Sequence, residues 1–172
     1  MKDNKPLVIL GSSRKDSNTR KLLDLLLVEL DHDLIDLLDY KIYPYDYSTN
    51  YPVGDNFFDI IERVLGHNTI IFATPVYWYS MSGQMKTFFD RFSDLVTVKK
   101  DIGRRLKGKR TFLVATGEDK NLPDGFEVPF RLTSQYLDME FVSVYYRSRN
   151  DLTTALTHTD EILDKIETAC DG

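Results

Sequence analysis

With 172 residues, 42% hydrophobic and 28% charged, the chain has the size and composition of one globular domain. It can bury roughly 70% of its unfolded surface without a disulfide or metal staple. A net charge of −5 and a pI near 5.2 argue against nucleic acid or an anionic membrane as the main partner, and the single Cys170 excludes a disulfide framework or a Cys-rich metal site.

No apolar run reaches the length that spans a bilayer. The N-terminal MKDNKPLVIL lacks the long apolar core and cleavage site of a signal peptide. A cytoplasmic protein with one domain over residues 1–172 is expected.

The first predicted strand covers residues 6–10 and stops at Gly11. A polar turn, GSSRKDSNT, leads into a helix predicted over 18–30. Leucines 22, 23, 26, 27 and 30 fall on one helical face, which Leu25 and Val28 widen. Residues 34–38 read as a second strand, apolar on both faces as in a parallel sheet covered by helices. Residues 40–51 hold five tyrosines and a proline without a period. They read as a loop, either packed on its own rings or forming a pocket wall or subunit contact.

A second helix begins near Asp55, a plausible cap, and ends at Gly66; Phe57, Phe58, Ile61, Val64 and Leu65 form its stripe. Residues 69–74 are the clearest central strand, ended by Pro75. After PVYWYSM, Ser82 and Gly83 start a helix with Met85, Phe88, Phe89 and Phe92 on one face. The basic run 99–110 reads as a solvated connection, with a nucleotide-phosphate site as the alternative. A fourth strand at 111–115 exits into ATGEDKNLPDG. A helix lies within 128–137, where Pro129 suits the first turn. A fifth strand at 140–146 precedes a last helix striped by Leu152, Leu156, Leu163, Ile166 and Cys170.

Five strands alternating with five helices predict one doubly wound α/β domain. Ligands of such folds bind beyond the carboxyl ends of the strands, where strand order reverses. With order 2-1-3-4-5 that point lies between the first and third strands, and the two unusual turns follow those strands. The first turn is good anion chemistry. Ser12, Ser17, Asn18 and Thr19 can donate, Arg14 offers a planar fork, and the helix N-terminus adds free amides and a positive dipole end. Its plainer reading is a cap by Ser17 or Asp16, and both stay open. The second turn, residues 75–81, is an aromatic shelf with free backbone amides. A ligand with a phosphate at one end and a flat ring at the other suits the pair. His32, His67 and His158 show no metal-ligand spacing and read as surface residues. No G-x-S-x-G elbow is present.

GSSRKDSNT resembles the phosphate loop of the NADPH-dependent FMN reductase family, roughly Gly-Ser-x-Arg-x-x-Ser-x-Thr. TPVYWYSMSGQMKTFFDRF is similar to that family's Pro-x-Tyr turn followed by Ser82, Lys86, Phe88, Asp90 and Arg91. The resemblance covers nearly the whole chain and implies a flavodoxin-like five-stranded parallel sheet. It implies that Ser12, Arg14, Ser17, Asn18 and Thr19 hold the FMN phosphate. Pro75, Val76, Tyr77, Trp78, Tyr79 and Ser80 would contact the isoalloxazine, in part through backbone amides, with Thr116 and Gly117 on its other side. Read without the family, the aromatic turn is ordinary packing, and Lys86, Asp90 and Arg91 pair with one another on a helix surface.

The chain from Tyr40 onward also resembles the iron–sulfur flavoproteins. Where those carry a Cys cluster, this chain has tyrosines, so it cannot build a thiolate-held cluster. The implied activity is FMN-dependent NAD(P)H oxidation, with NADPH or NADH as co-substrate and a small quinone, flavin, nitro or azo compound or metal ion as acceptor. No side chain is required as acid or base, so no catalytic residue is named. A homodimer or homotetramer is implied, with the 40–51 loop as the contact. The alternative is a flavodoxin-like FMN electron carrier that docks on proteins. Flavodoxins usually carry a Thr-x-Thr-Gly-x-Thr loop, which this chain lacks.

Overall fold

A computed structural model describes residues 5–152 and 159–171. Five strands, β1 (Leu7–Leu10), β2 (Asp33–Asp36), β3 (Thr69–Pro75), β4 (Arg110–Gly117) and β5 (Glu140–Ser148), form one sheet in the order β2-β1-β3-β4-β5. Every pairing is parallel, so this is the flavodoxin-like arrangement expected. The helices are α1 (Asn18–Leu26), α2 (Phe57–Gly66), α3 (Gly83–Asp90), α4 (Phe92–Thr97), α5 (Lys100–Arg104), α6 (Val128–Tyr136) and α7 (Thr159–Asp171).

The two-residue period of the strands divides the core in two. Val8, Leu10, Ile71, Ala73, Phe112 and Val114 pack with α1 and α7. Leu7, Ile9, Ile70, Phe72, Leu113 and Ala115 face α2, α3 and α6. On the second side Phe57, Phe72, Phe88, Phe89, Phe92 and Phe130 interlock, with neighbouring ring centroids such as Phe88–Phe92 5.1 Å apart. Such edge-on contacts add to simple burial.

Several boundaries differ from the sequence reading. Helix α1 ends at Leu26, capped by Leu27, and Leu25 and Val28 point to solvent instead of widening the stripe. β2 stops at Asp36, whose carboxylate accepts from Leu38 N–H and turns the chain into a 3₁₀ segment. The N-cap position of α2 is Asn56; Asp55 meets the helix only through a 3.4 Å contact from Phe57 N–H. The basic run holds α5 and the start of β4. Its Lys109 is buried, with Nζ donating to the carbonyls of Leu65 and His67. Leu152 precedes the last helix, while Leu156 and His158 lie outside the described residues.

His67 is buried, not superficial. Its Nδ1 lies 2.9 Å from the Arg63 carbonyl and its Nε2 3.0 Å from Asp33. Lys5 is the first cause holding the Asp33 carboxyl below its usual range, and His67 adds to it against a cost of burial.

Arg91 likewise does not pair on the helix surface, although Lys86 and Asp90 do, at 2.5 Å. Its guanidinium is fully buried, forks onto Asp55 at 2.7 and 3.0 Å, and donates through Nε to Asp94 at 2.8 Å. Nη1 also reaches the Tyr43 carbonyl, and the Tyr51 ring covers the cation at 3.4 Å. One residue thus pins both ends of the tyrosine loop to the α3–α4 junction.

Candidate active site

The carboxyl ends of β1, β3 and β4 stand side by side, with Leu10 opposite Ala73 and Pro75 opposite Thr116. β1 gives way at Gly11, whose N–H donates to the Ala73 carbonyl at 2.8 Å. The Gly11 carbonyl accepts from Ser82 Oγ at 2.8 Å, and the same oxygen caps α3 by accepting from Met85 N–H. A Cβ on Gly11 would stand 2.8 Å from Met85 Cβ, closer than atoms pack. Glycine therefore lets the end of β1 meet the first turn of α3.

The turn after Gly11 caps α1, and its remaining donors have the chemistry of an anion cradle. Ser17 Oγ accepts from Arg20 N–H at 3.1 Å and caps α1, while its own hydroxyl proton stays free to donate. Ser12 is fully buried, and among the described residues its Oγ is the one buried side-chain polar atom without a hydrogen-bond partner. Native interiors rarely tolerate such an orphan unless a ligand or water meets it. Thr19 Oγ1 lies 2.7 Å from Thr116 Oγ1 in the interior, tying α1 to the end of β4. Arg14 is half-exposed and meets only Asp16, at 3.9 Å. Lys15 turns the other way, to Asp36 and Asp39 at 3.0 and 2.5 Å. The hydrogen bond to Asp39 is the main cause raising the Lys15 pKa.

On the opposite wall, Val76 N–H donates to the Thr116 carbonyl at 2.7 Å. Tyr77 and Ser80 exchange backbone hydrogen bonds and close a two-residue hairpin. Its central residues, Trp78 and Tyr79, have φ of 48° and 63°. That is the type I′ pattern, which costs bulky residues about 1–2 kcal/mol each. The amides of Tyr77 and Ser80 are thus engaged within the turn.

A cleft of about 350 Å³ opens between these walls. Of the expected residues, Arg14, Ser17, Asn18, Pro75, Val76, Tyr77, Thr116 and Gly117 line it. Ser12 and Thr19 are buried and do not line it. Trp78, Tyr79 and Ser80 head the hairpin outside it, with Trp78 93% exposed and thus not ordinary packing.

Gly117 sits where a Cβ would be 2.7 Å from Tyr146 Oη and 3.3 Å from Val76 Cβ. The Tyr146 hydroxyl donates to the Asp119 carbonyl at 2.6 Å. Burial first, then the charges of Asp119 and Glu118, push that phenol up, so it keeps its proton.

Three cleft residues escaped the sequence reading: Ser13, within the first turn, and Glu118 and Arg149. Glu118 and Arg149 sit just beyond the ends of β4 and β5, so the rule that ligands bind at strand carboxyl ends was the available signal. A larger groove of about 580 Å³ lies among α4, α5 and α6. It takes Lys100, Arg104 and Lys107 of the basic run, which are therefore no part of the cleft.

The residues fit a flavin mononucleotide. The weakly paired Arg14 and the N-terminus of α1 with Ser17 and Asn18 stand on one wall, with the buried orphan hydroxyl of Ser12 behind them, and Pro75, Val76 and Tyr77 with Thr116 and Gly117 form the other.

The sequence profile of the NADPH-dependent FMN reductase family matches residues 4–146. YwqN of Bacillus subtilis, named as a candidate NAD(P)H-dependent FMN-containing oxidoreductase, is 35% identical over 127 residues, covering 67% of this chain and 70% of that protein. The structure of the Trp repressor binding protein from B. subtilis superposes with a TM-score of 0.67 at 28% identity, covering 96% of each chain. An FMN-dependent NADH-azoreductase from Bacillus anthracis, in complex with FMN, shares the fold with a TM-score of 0.66 at 11% identity over 98% of both chains. Among the described residues no helix is long and apolar enough to cross a membrane. The chain belongs to the NADPH-dependent FMN reductase family, oxidoreductases that carry FMN and use NAD(P)H as co-substrate.

Proposed function

We propose that this enzyme passes electrons from NADPH or NADH, through FMN held in the cleft, to a small acceptor such as a quinone, a free flavin, a nitro or azo compound or a metal ion. The observation that carries the reading is Ser12 Oγ, buried and unpartnered at the base of a loop that also presents Arg14. When bound, FMN supplies the redox chemistry that links the nicotinamide donor to the acceptor.

The chain's own residues bind and orient. Ser17 and Asn18 with the first amides of α1 receive the phosphate, Arg14 adds a charged fork, the orphan Ser12 Oγ meets it from beneath the cleft floor, and Thr19, tied to Thr116, holds the start of α1 in place. Pro75, Val76 and Tyr77 form one side of the ring site, with the amides of Trp78 and Tyr79 beside it and Ser80 closing the hairpin. Thr116 and Gly117 form the other side, where the missing side chain of Gly117 admits Tyr146 and Val76 at close quarters. No residue is assigned as acid or base.

Residues 1–172 act as a single cytoplasmic FMN-binding domain in this reading. Copies pair as a homodimer or homotetramer through the tyrosine loop, whose Tyr47 is 92% exposed. Aromatic surface of this kind is enriched at interfaces.

The test is anaerobic mixing of FMN-loaded protein with NADPH. Flavin bleaching within minutes is expected. Bound flavin that stays oxidised would leave an electron carrier in place of the enzyme. Arg14→Ala should weaken FMN binding about tenfold or more, since a charge-assisted bond contributes roughly 1.5–3 kcal/mol. A loss under about threefold would remove Arg14 from the phosphate site.

A further inference from the structure

Arg149 is the second cation of the cleft, and the loop after β1 does not need it to form the anion cradle. It enters from the far side, just past β5, and its Nη2 is paired with the Glu118 carboxylate. Both side chains are more than half open to solvent or close to it, at 50% and 64%. Their placement is nonetheless built. Ser148 Oγ donates to the Glu118 carbonyl at 3.1 Å and accepts from Asn150 N–H. Tyr146 Oη fastens the next residue by its bond to the Asp119 carbonyl. The backbone on both sides of the pair is thus fixed at the cleft wall, while the charged tips remain free to turn.

We propose that Arg149 is a second phosphate-gripping residue of this site, latched by Glu118 until a phosphate group of a bound nucleotide displaces the carboxylate. The inference rests on the nucleotide reading of the cleft. Three physical points carry it. Glu118 is the one carboxylate among the cleft-lining residues, against two guanidinium groups, so an entering phosphate meets net positive charge. An exposed ion pair is weakly held and screened by salt. A guanidinium fork, in contrast, matches two phosphate oxygens with paired, charge-assisted bonds. The displaced Glu118 carboxylate can turn to water without burying a charge.

The phosphate has two sources: the monophosphate of FMN or the phosphates of the nicotinamide dinucleotide. Two measurements separate them on variants with unchanged melting temperature. One is the FMN dissociation constant from flavin fluorescence. The other is the KM for NADPH of FMN-saturated enzyme, with ferricyanide as acceptor. Arg149→Ala should raise one of these constants about tenfold. Arg149→Lys should recover part of that loss, because it keeps the charge but not the fork. Glu118→Gln should tighten the same constant about two- to fivefold by releasing the latch, and should do nothing in the Arg149→Ala background.

A rise in the FMN constant assigns the grip to the cofactor. A rise in KM alone assigns it to the co-substrate. Both constants within twofold of the parent protein overturn the proposal, and so does a Glu118→Gln effect that persists without Arg149. Parent protein that takes up FMN and is bleached by NADPH keeps the underlying reading intact whatever Arg149 does. Parent protein that takes up no FMN overturns both.

Discussion

Ser13 Oγ lies 2.9 Å from Tyr77 Oη, across 64 residues of sequence. This contact joins the loop after β1 directly to the loop after β3, so the two walls of the cleft are tied at their rim. Removing it should loosen the cleft more than the fold. Tyr77→Phe keeps the ring and loses one exposed bond, worth about 0.5–1 kcal/mol. The melting temperature should change by no more than about 2–4 °C. The FMN dissociation rate should rise about three- to fivefold in stopped-flow displacement, the kinetic equivalent of that bond. Ser13→Ala should do the same, and the double variant should be no worse than either. Additive losses would mean that each hydroxyl meets the ligand separately.

Ser12→Ala should act with opposite signs on the empty and loaded protein. The buried Oγ has no partner, so deleting it removes a desolvated group that nothing compensates. Flavin-free protein should melt unchanged or slightly higher, by up to about 1 kcal/mol. FMN affinity should fall about tenfold if the phosphate is that oxygen's partner. Differential scanning fluorimetry with and without FMN reads both effects. A flavin-free variant destabilised by about 1 kcal/mol would reveal a partner that Ser12 already has within the protein.

What was legible in the sequence follows physical locality. β1, β3 and β4 announce themselves as short apolar runs because both faces of each are buried. The loop after β1 was readable because its residue types and its helix start sit within one short stretch. Arg91 was misread because local spacing offered Asp90 as a neighbour, whereas its principal partner Asp55 lies 36 residues away. His67 was misread for the same reason, its carboxylate being Asp33. Lys109 looked like surface because composition hides an aliphatic stem that packs inside and carries its ammonium to two carbonyls. The exposure of the Trp78 side chain was not legible, because it follows from a hairpin with two left-handed residues, and φ cannot be read from residue type when neither residue is glycine. Glu118 and Arg149 belong to no local pattern; only the alignment of β4 with β5 brings them together.

The Arg91 cluster predicts an acid limit to stability. Burial alone would push the Asp55 carboxyl up, but Arg91 and the N–H groups of Tyr43 and Phe57 outweigh it and hold the carboxyl below its usual range. A carboxyl depressed in the folded state contributes stability that is complete above the unfolded value, near pH 4, and is lost as pH falls through the lower folded value. Urea unfolding of Asp55→Asn should therefore lose less stability than the parent protein as pH falls below about 4, although it starts less stable at pH 7. Parallel pH curves would mean that Asp55 is not the titrating partner. Arg91→Met should be more severe, because it leaves two buried carboxylates facing an apolar side chain. A cost of about 3–5 kcal/mol is expected at pH 7, lowering the melting temperature by roughly 10 °C. Arg91→Lys should not rescue it, since one ammonium cannot reproduce the fork onto Asp55 together with the Nε bond to Asp94. A lysine variant as stable as the parent would show that charge alone, not the planar fork, holds the tyrosine loop against α3 and α4.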